Sequence, residues 1–262
     1  MDERDYMEQV CPFDVSAWRK SPKKATEQID LAAYLARYDA LMARGEKEEA
    51  GNVLRCALAE ARARDDLHSE LSLRSELMGY CRQAGRRDEG MEAIESGLAL
   101  LRELGLEGSL TAGTILINAA TALSAFGEQH RALGNFQEAF RCYGKALPPD
   151  DQRWAALMNN MAGAYEAVGE RDNAERYYRS ALRVQQRGGG ADIAVTHVNL
   201  AQLLGSREEW EAALRALDEP TLIWDEYYAF TCRKCAAAFE EAGMPETAKE
   251  LRERAEIIHE SD

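Results

Sequence analysis

Between Trp154 and Gln186 the apolar residues fall into two stripes separated by a glycine. Met158, Met161, Ala162 and Tyr165 sit at the i, i+3, i+4, i+7 spacing that lines one face of an α-helix. Gly169 interrupts the pattern, and Ala174, Tyr178 and Ala181 begin a second stripe. A glycine between two such stripes suits a tight chain reversal, because it adopts positive φ without a steric penalty. Ala174 is small where the two helices must approach. The segment predicts a helical hairpin.

The hairpin recurs along the chain. Tyr34, Tyr38 and Leu41 lead through Gly45 to Ala50, Leu54 and Ala57. Leu77, Met78 and Cys81 lead through Gly85 to Gly90, Ile94 and Gly97. Leu200, Ala201, Leu203 and Leu204 precede Ala213 and Leu217, and Ala236 and Phe239 lead through Gly243 to Ala248 and Ala255. Between these lies a copy with two candidate registers, one with Gly127 and Ala132, the other with Gly134 and Ala139. With Ala132 the small residues stand at 50, 90, 132, 174, 213 and 248, in steps of 40, 42, 42, 39 and 35. With Ala139 two of those steps become 49 and 35. The Ala132 register is the more even, and it alone puts Asn118, Asn160 and Asn199 each fourteen residues before the key alanine. It places Gly134 inside a helix, at a cost of about 1 kcal/mol relative to alanine. Self-similarity at this period is the signature of a stacked helical array, in which each unit buries its apolar face against the next.

In the clearest copy, Met161-Ala162-Gly163-Ala164-Tyr165 followed by Ala174, Tyr178 and Ala181 resembles the tetratricopeptide repeat. Met158 stands where that family has tryptophan, and Gln186 where it has proline. The long steps, with extra residues such as Leu147-Pro148-Pro149-Asp150-Asp151 between units, are similar to the repeats of kinesin light chains, which bind cargo peptides. The resemblance covers roughly residues 30–258. It implies an all-α fold, a right-handed superhelical solenoid of about six helix pairs, with first helices lining a concave groove. The expected organisation is an N-terminal arm over residues 1–24 and a single solenoid over 25–262, closed by a polar capping helix. That last helix starts at Pro245, a good first-turn residue, and carries Lys249, Glu250, Arg252, Glu253, Arg254 and Glu256. The arm holds Cys11, Pro12, Phe13, Trp18 and the basic cluster Arg19, Lys20, Lys23 and Lys24.

The net charge of −14 narrows the partners. An acidic chain repels phosphate backbones, so nucleic acid and anionic membrane are disfavoured and a basic peptide or patch is favoured. The alternative is that the charge only keeps the protein soluble. No run reaches the ~18 apolar residues of a membrane span. The start, Met1-Asp2-Glu3-Arg4-Asp5, lacks an apolar stretch, which predicts no secretory leader. Six scattered cysteines are too sparse for a disulfide scaffold and fit a reducing cytoplasm.

The candidate chemistry is recognition rather than catalysis. An asparagine side chain offers one acceptor and two donors, enough to pair with both N–H and C=O of an extended peptide. Counting back from the key alanines, the groove positions include Arg82, Asn118, Thr121, Asn159, Asn160, Asn199, Gln202, Arg233 and Lys234. An asparagine ladder along these positions would hold a peptide backbone, or would bond only to the neighbouring helix. Some relatives of the fold grip a C-terminal carboxylate with Lys, Asn and Arg from adjacent repeats, which Asn199 with Arg233 and Lys234 would imitate. Cys232 and Cys235 form one CxxC pair, half a zinc site with no companion, and fall at packing positions. His68, His130, His197 and His259 are dispersed, and no cofactor or metal is implied. The function expected is a non-enzymatic adaptor holding a peptide segment of another protein, as a monomer or homodimer. The alternatives are a peptide-responsive sensor and a self-assembly module.

Overall fold

In the computed structural model the described residues are 28–188, 192–219, 222 and 225–259. They form twelve helices and, among the described residues, no strand. Up to Leu147 these are α1 (Leu31–Ala43), α2 (Lys47–Ala63), α3 (Leu67–Ala84), α4 (Arg87–Glu103), α5 (Leu110–Ala125) and α6 (Gln129–Ala146). From Pro148 they are α7 (Arg153–Ala167), α8 (Arg171–Gly188), α9 (Asp192–Leu204), α10 (Arg207–Leu217), α11 (Glu226–Glu241) and α12 (Pro245–His259). The boundary at Leu147 divides the chain into two compact units. In the first unit α1/α2, α3/α4 and α5/α6 pair, and α3 also packs on α2 and α5, with α4 on α5. In the second, α7/α8, α9/α10 and α11/α12 pair, and α9 also packs on α8 and α11. The expected arm over residues 1–24 and the Gly189-Gly190 part of the inter-repeat link lie outside the described residues.

One turn closes every pair. The N–H after each turn glycine reaches back to a carbonyl five residues earlier: Glu46 to Leu41, Arg86 to Cys81, Glu128 to Leu123, Glu170 to Tyr165, Ser206 to Ala201 and Met244 to Phe239. The glycines between, from Gly45 to Gly243, all have φ between 65° and 83°. This is the Schellman closure, which satisfies a terminal carbonyl only if the residue past the helix is left-handed. Gly127 takes that role in the third pair, so Ala132 sets its register. Gly134 stands inside α6, with no heavy atom within 4 Å of the place an added methyl group would occupy.

The two helices of a pair start differently. Four first helices carry a side-chain cap: Asp30 to the Ala33 N–H (3.1 Å), Asp66 to Ser69 (3.2 Å), Ser109 to Ala112 (3.0 Å) and Asp225 to Tyr228 (2.9 Å). Such a cap satisfies one of the orphan N–H groups of the first turn. The second helices follow the glycine turn too closely for this. All but α6 carry acids in the first turn instead, such as Glu48 and Glu49 in α2, Asp88 and Glu89 in α4, and Glu208 and Glu209 in α10. Negative charge there complements the helix dipole.

The small residues named by the repeat lie in the core. Ala50, Ala132, Ala174, Ala213 and Ala248 are all fully buried. Trp210 packs between pairs, its ring centroid 4.7 Å from that of Phe239. Cys232 and Cys235 are both fully buried and free, as packing positions require.

Candidate functional site

In the unit from Pro148 a polar seam joins α7 to α9. The Asn199 amide donates to the Asn159 side-chain oxygen at 3.2 Å. The Thr196 hydroxyl reaches the same oxygen at 3.3 Å and the Asp192 carbonyl at 3.4 Å. Asn159 and Asn199 are each half-buried. No hydrogen bond among the described residues engages the Asn159 amide nitrogen or the Asn199 side-chain oxygen, so the pair keeps donor protons and an acceptor unengaged.

The unit up to Leu147 holds the same stitch. Asn118 on α5 donates to the Ser75 hydroxyl on α3 at 2.9 Å. In register, Ser75 and Asn159 are equivalent, each fifteen residues before the small residue of its pair, Gly90 or Ala174. Each asparagine therefore bonds one pair back. Asn160 is different: it is 1 % exposed, and neither its amide nitrogen nor its oxygen has a hydrogen-bond partner.

The other expected groove residues are placed as follows. Thr121 is buried, and its hydroxyl returns to the Ile117 carbonyl of its own helix at 2.8 Å. Gln202 is exposed on α9. Arg233 and Lys234 are half-buried on α11, and desolvation pulls the Lys234 ammonium below the ordinary lysine range. On the same helix, burial pushes the Tyr227 phenol up to about 12. Arg82 is half-buried on α3, and its charge, with that of Glu76, acts on the buried Tyr38 phenol, which desolvation raises. The Cys235 thiol is raised to about 12 by burial, which keeps it protonated and a poor metal ligand or nucleophile. Among the described residues no group of three His, Cys, Asp or Glu side chains is arranged to hold a metal ion, and no helix is long and apolar enough to cross a membrane.

Several residues that organise this scaffold went unnoticed in the sequence. Arg87 and Arg171, each the first residue of a second helix, donate to carbonyls at the end of the next first helix, Phe126 and Leu203. Their signal is an arginine two residues past the turn glycine. His197 on α9 meets Glu209 on α10 at 2.6 Å, with Arg179 of α8 at 3.7 Å from the same carboxylate. On α3 the buried Arg74 is held by Glu70 at 2.6 Å and by the Ser96 hydroxyl.

Residues 155–219, which run from α7 through α10 and include the α7–α9 seam, match the family model for the tetratricopeptide repeat. No curated protein matches the sequence. Solved structures match the fold. BtubC (BKLC) from P. vanneervenii is 20 % identical, over 89 % of this chain and 92 % of that one, with a TM-score of 0.53. A putative kinesin light chain of Podosopora anserina with nearly identical TPR-like repeats is 19 % identical, over 72 % and 94 %, at 0.53. The Rap conjugation gene regulator of the plasmid pLS20, solved with the Phr* peptide, is 16 % identical, over 90 % of this chain and 64 % of that one, at 0.59. The family match covers residues 155–219, and across the rest of the described chain the likeness to these structures is one of fold.

Proposed function

We propose that this protein is a non-enzymatic tetratricopeptide-repeat adaptor that holds an extended peptide segment of another protein against its first helices. The observation that carries the reading is the half-buried Asn159–Asn199 pair. Its mutual hydrogen bond fixes both side chains, and the pair keeps a donor and an acceptor for one peptide unit of any sequence. Fixing the amides before binding lowers the ordering cost of association. Gln202 beside the pair, and Arg233 and Lys234 on α11, extend the contact. A carboxylate on the peptide would meet Arg233 and Lys234. In the unit up to Leu147, Asn118, Thr121 and Arg82 belong to the equivalent face, and Asn160 is the position whose amide is still to be satisfied. The reducing cytoplasm is the compartment in which its free cysteines fit best.

A second reading, a peptide-responsive regulator, draws on the likeness to the Rap regulator solved with its peptide. It uses the same face with a short free peptide as ligand. The test is capture from native lysate by the wild type and by the Asn159→Ala, Asn199→Ala double variant. The double variant is expected to lose its partner while helicity is retained and the melting temperature moves by only a few degrees. Capture that survives both changes overturns the reading. If a small peptide rather than a protein is retained, the regulator reading prevails over the adaptor.

A further inference from the structure

The helix that opens the first unit leaves an apolar face uncovered. α1 packs on α2, whereas α3 packs on α2, α4 and α5. Of the thirteen residues of α1 only Tyr38 and Leu41 are buried. Leu31, Leu35 and Met42 recur at i, i+4 and i+11 in one half-buried row. Ala32, Ala36 and Ala43 repeat that spacing in an exposed row beside it, and Asp39 is the one charge between the rows. In register, Leu35 and Ala36 stand fifteen and fourteen residues before Ala50, the places that Asn159 and Asn160 hold before Ala174. The face that carries amides in a later pair is aliphatic here and offers a peptide backbone no hydrogen bond.

A helix at the end of a stack must be polar outside or be covered. α12, which ends the second unit, meets that condition with seven Lys, Arg and Glu side chains in fifteen residues. α1 does not, since Arg37 and Asp39 are its only charges.

The chain itself supplies a cover. The Gln28 carbonyl accepts from Arg64 at 3.2 Å, and the Ile29 N–H donates to Asp66 at 3.2 Å. These bonds fix the residues before Gln28 to start beside the first turn of α1. Val10, Phe13, Val15 and Trp18 make residues 10–18 the apolar part of that segment. Residues 19–27 span at most about 30 Å, and the thirteen residues of α1 rise only about 20 Å. Residues 10–18 therefore reach every turn of the strip. The charges match as well. Glu76 and Arg82 on α3 lie close enough to act on the Tyr38 phenol beside the strip. The segment carries the opposite signs, Arg19 and Lys20 for the one and Asp14 for the other.

We infer that residues 10–18 of this chain dock on the apolar strip of α1 formed by Leu31, Leu35 and Met42, with Phe13 and Trp18 as the anchors. The inference concerns the first unit alone and does not rest on the α7–α9 seam.

Two measurements on the full chain test it. Cys11 lies inside the segment, and Ala36→Cys places a thiol on the strip, whereas the native Cys56 is exposed on α2 beside Tyr34, away from the strip. Under mild oxidation, read by mass spectrometry of tryptic peptides, Cys11 is expected to bond to the thiol at position 36 at least about tenfold faster than to Cys56. Trypsin is expected to cut after Lys20, Lys23 and Lys24 at least about tenfold more slowly than in a synthetic peptide of residues 1–27. Phe13→Ser with Trp18→Ser, or Ala36→Glu alone, should remove that protection while helicity is unchanged. The inference is overturned if Cys11 bonds as fast to Cys56, if the wild type is cut at the peptide's rate, or if protection survives these substitutions. Cross-linking or protection that fades on dilution also overturns it, because a second copy would then cover the strip.

Discussion

The two units build one repeat with different contacts. Up to Leu147, helices meet where glycines admit large side chains. A methyl group on Gly51 would collide with the Tyr80 ring, one on Gly90 would be 2.6 Å from Phe126, and one on Gly113 would be 2.7 Å from Tyr143. Buried charge accompanies these sockets, in the Arg74–Glu70 pair with side chains only 9 % and 12 % exposed. From Pro148, the contacts are alanines and stacked aromatics: Tyr165 lies parallel to Tyr177 at 5.3 Å, and Trp210 tilts onto Phe239. Polar contacts there include half-buried groups, Asn159 with Asn199 and His197 with Glu209. A socket filled by a ring tolerates no added atom, and a buried pair tolerates no lost partner. The unit up to Leu147 is therefore the more brittle of the two.

The sharpest test of that difference removes one charge. Glu70→Ala leaves Arg74 buried without its counter-ion, and loss of one member of a buried pair costs about 3–5 kcal/mol. Urea unfolding is expected to show a large fall in midpoint, and Glu70→Leu with Arg74→Met should recover much of it. If Glu70→Ala unfolds like the wild type, the pair is not a structural element of this unit.

Glycine chemistry gives a smaller effect with opposite signs at two positions. Gly113→Val overpacks against the Tyr143 ring and is expected to destabilise by about 1–3 kcal/mol. Gly134→Ala meets nothing and should stabilise by up to about 1 kcal/mol through helix propensity alone. Thermal melts of the two variants should move in opposite directions.

The smallest expected effect lies in the other unit and depends on pH. Burial raises the Asp192 carboxyl above its ordinary range, against the opposing Gln185 amide at 2.9 Å. The folded state therefore holds this proton more tightly than the unfolded chain. Ionisation costs stability above the folded value, and the cost vanishes as pH falls below the unfolded one. Asp192→Asn should raise the melting temperature slightly at neutral pH, and the gain should shrink to nothing in acid. A gain that persists in acid would place its origin elsewhere.

Much of the fold could be read from the chain. Five of the six turn glycines, the fully buried alanines, the third pair's register, the first-turn Pro245 and the packing role of Cys232 and Cys235 all follow from local spacing. They are legible because periodicity and positive φ are properties of a few adjacent residues. The polar side was less legible. Asn118, Asn160 and Asn199 share one register position, yet two donate to a neighbouring helix and one is buried with no partner. An acceptor stands one step earlier in register as Ser75 and as Asn159, whereas the third pair carries Ile117 at that position in the sequence. Nothing local marks Arg74 for burial, which follows from α3 being covered by both α2 and α4.

Sequence alone determined the helical hairpins, their turns and their phase, because each rests on forces acting within one or two turns of chain. Tertiary structure decided which polar groups bond and which remain unengaged. Those outcomes depend on the approach of side chains some 40 residues apart, as Asn199 and Asn159 are, and no local pattern encodes that distance.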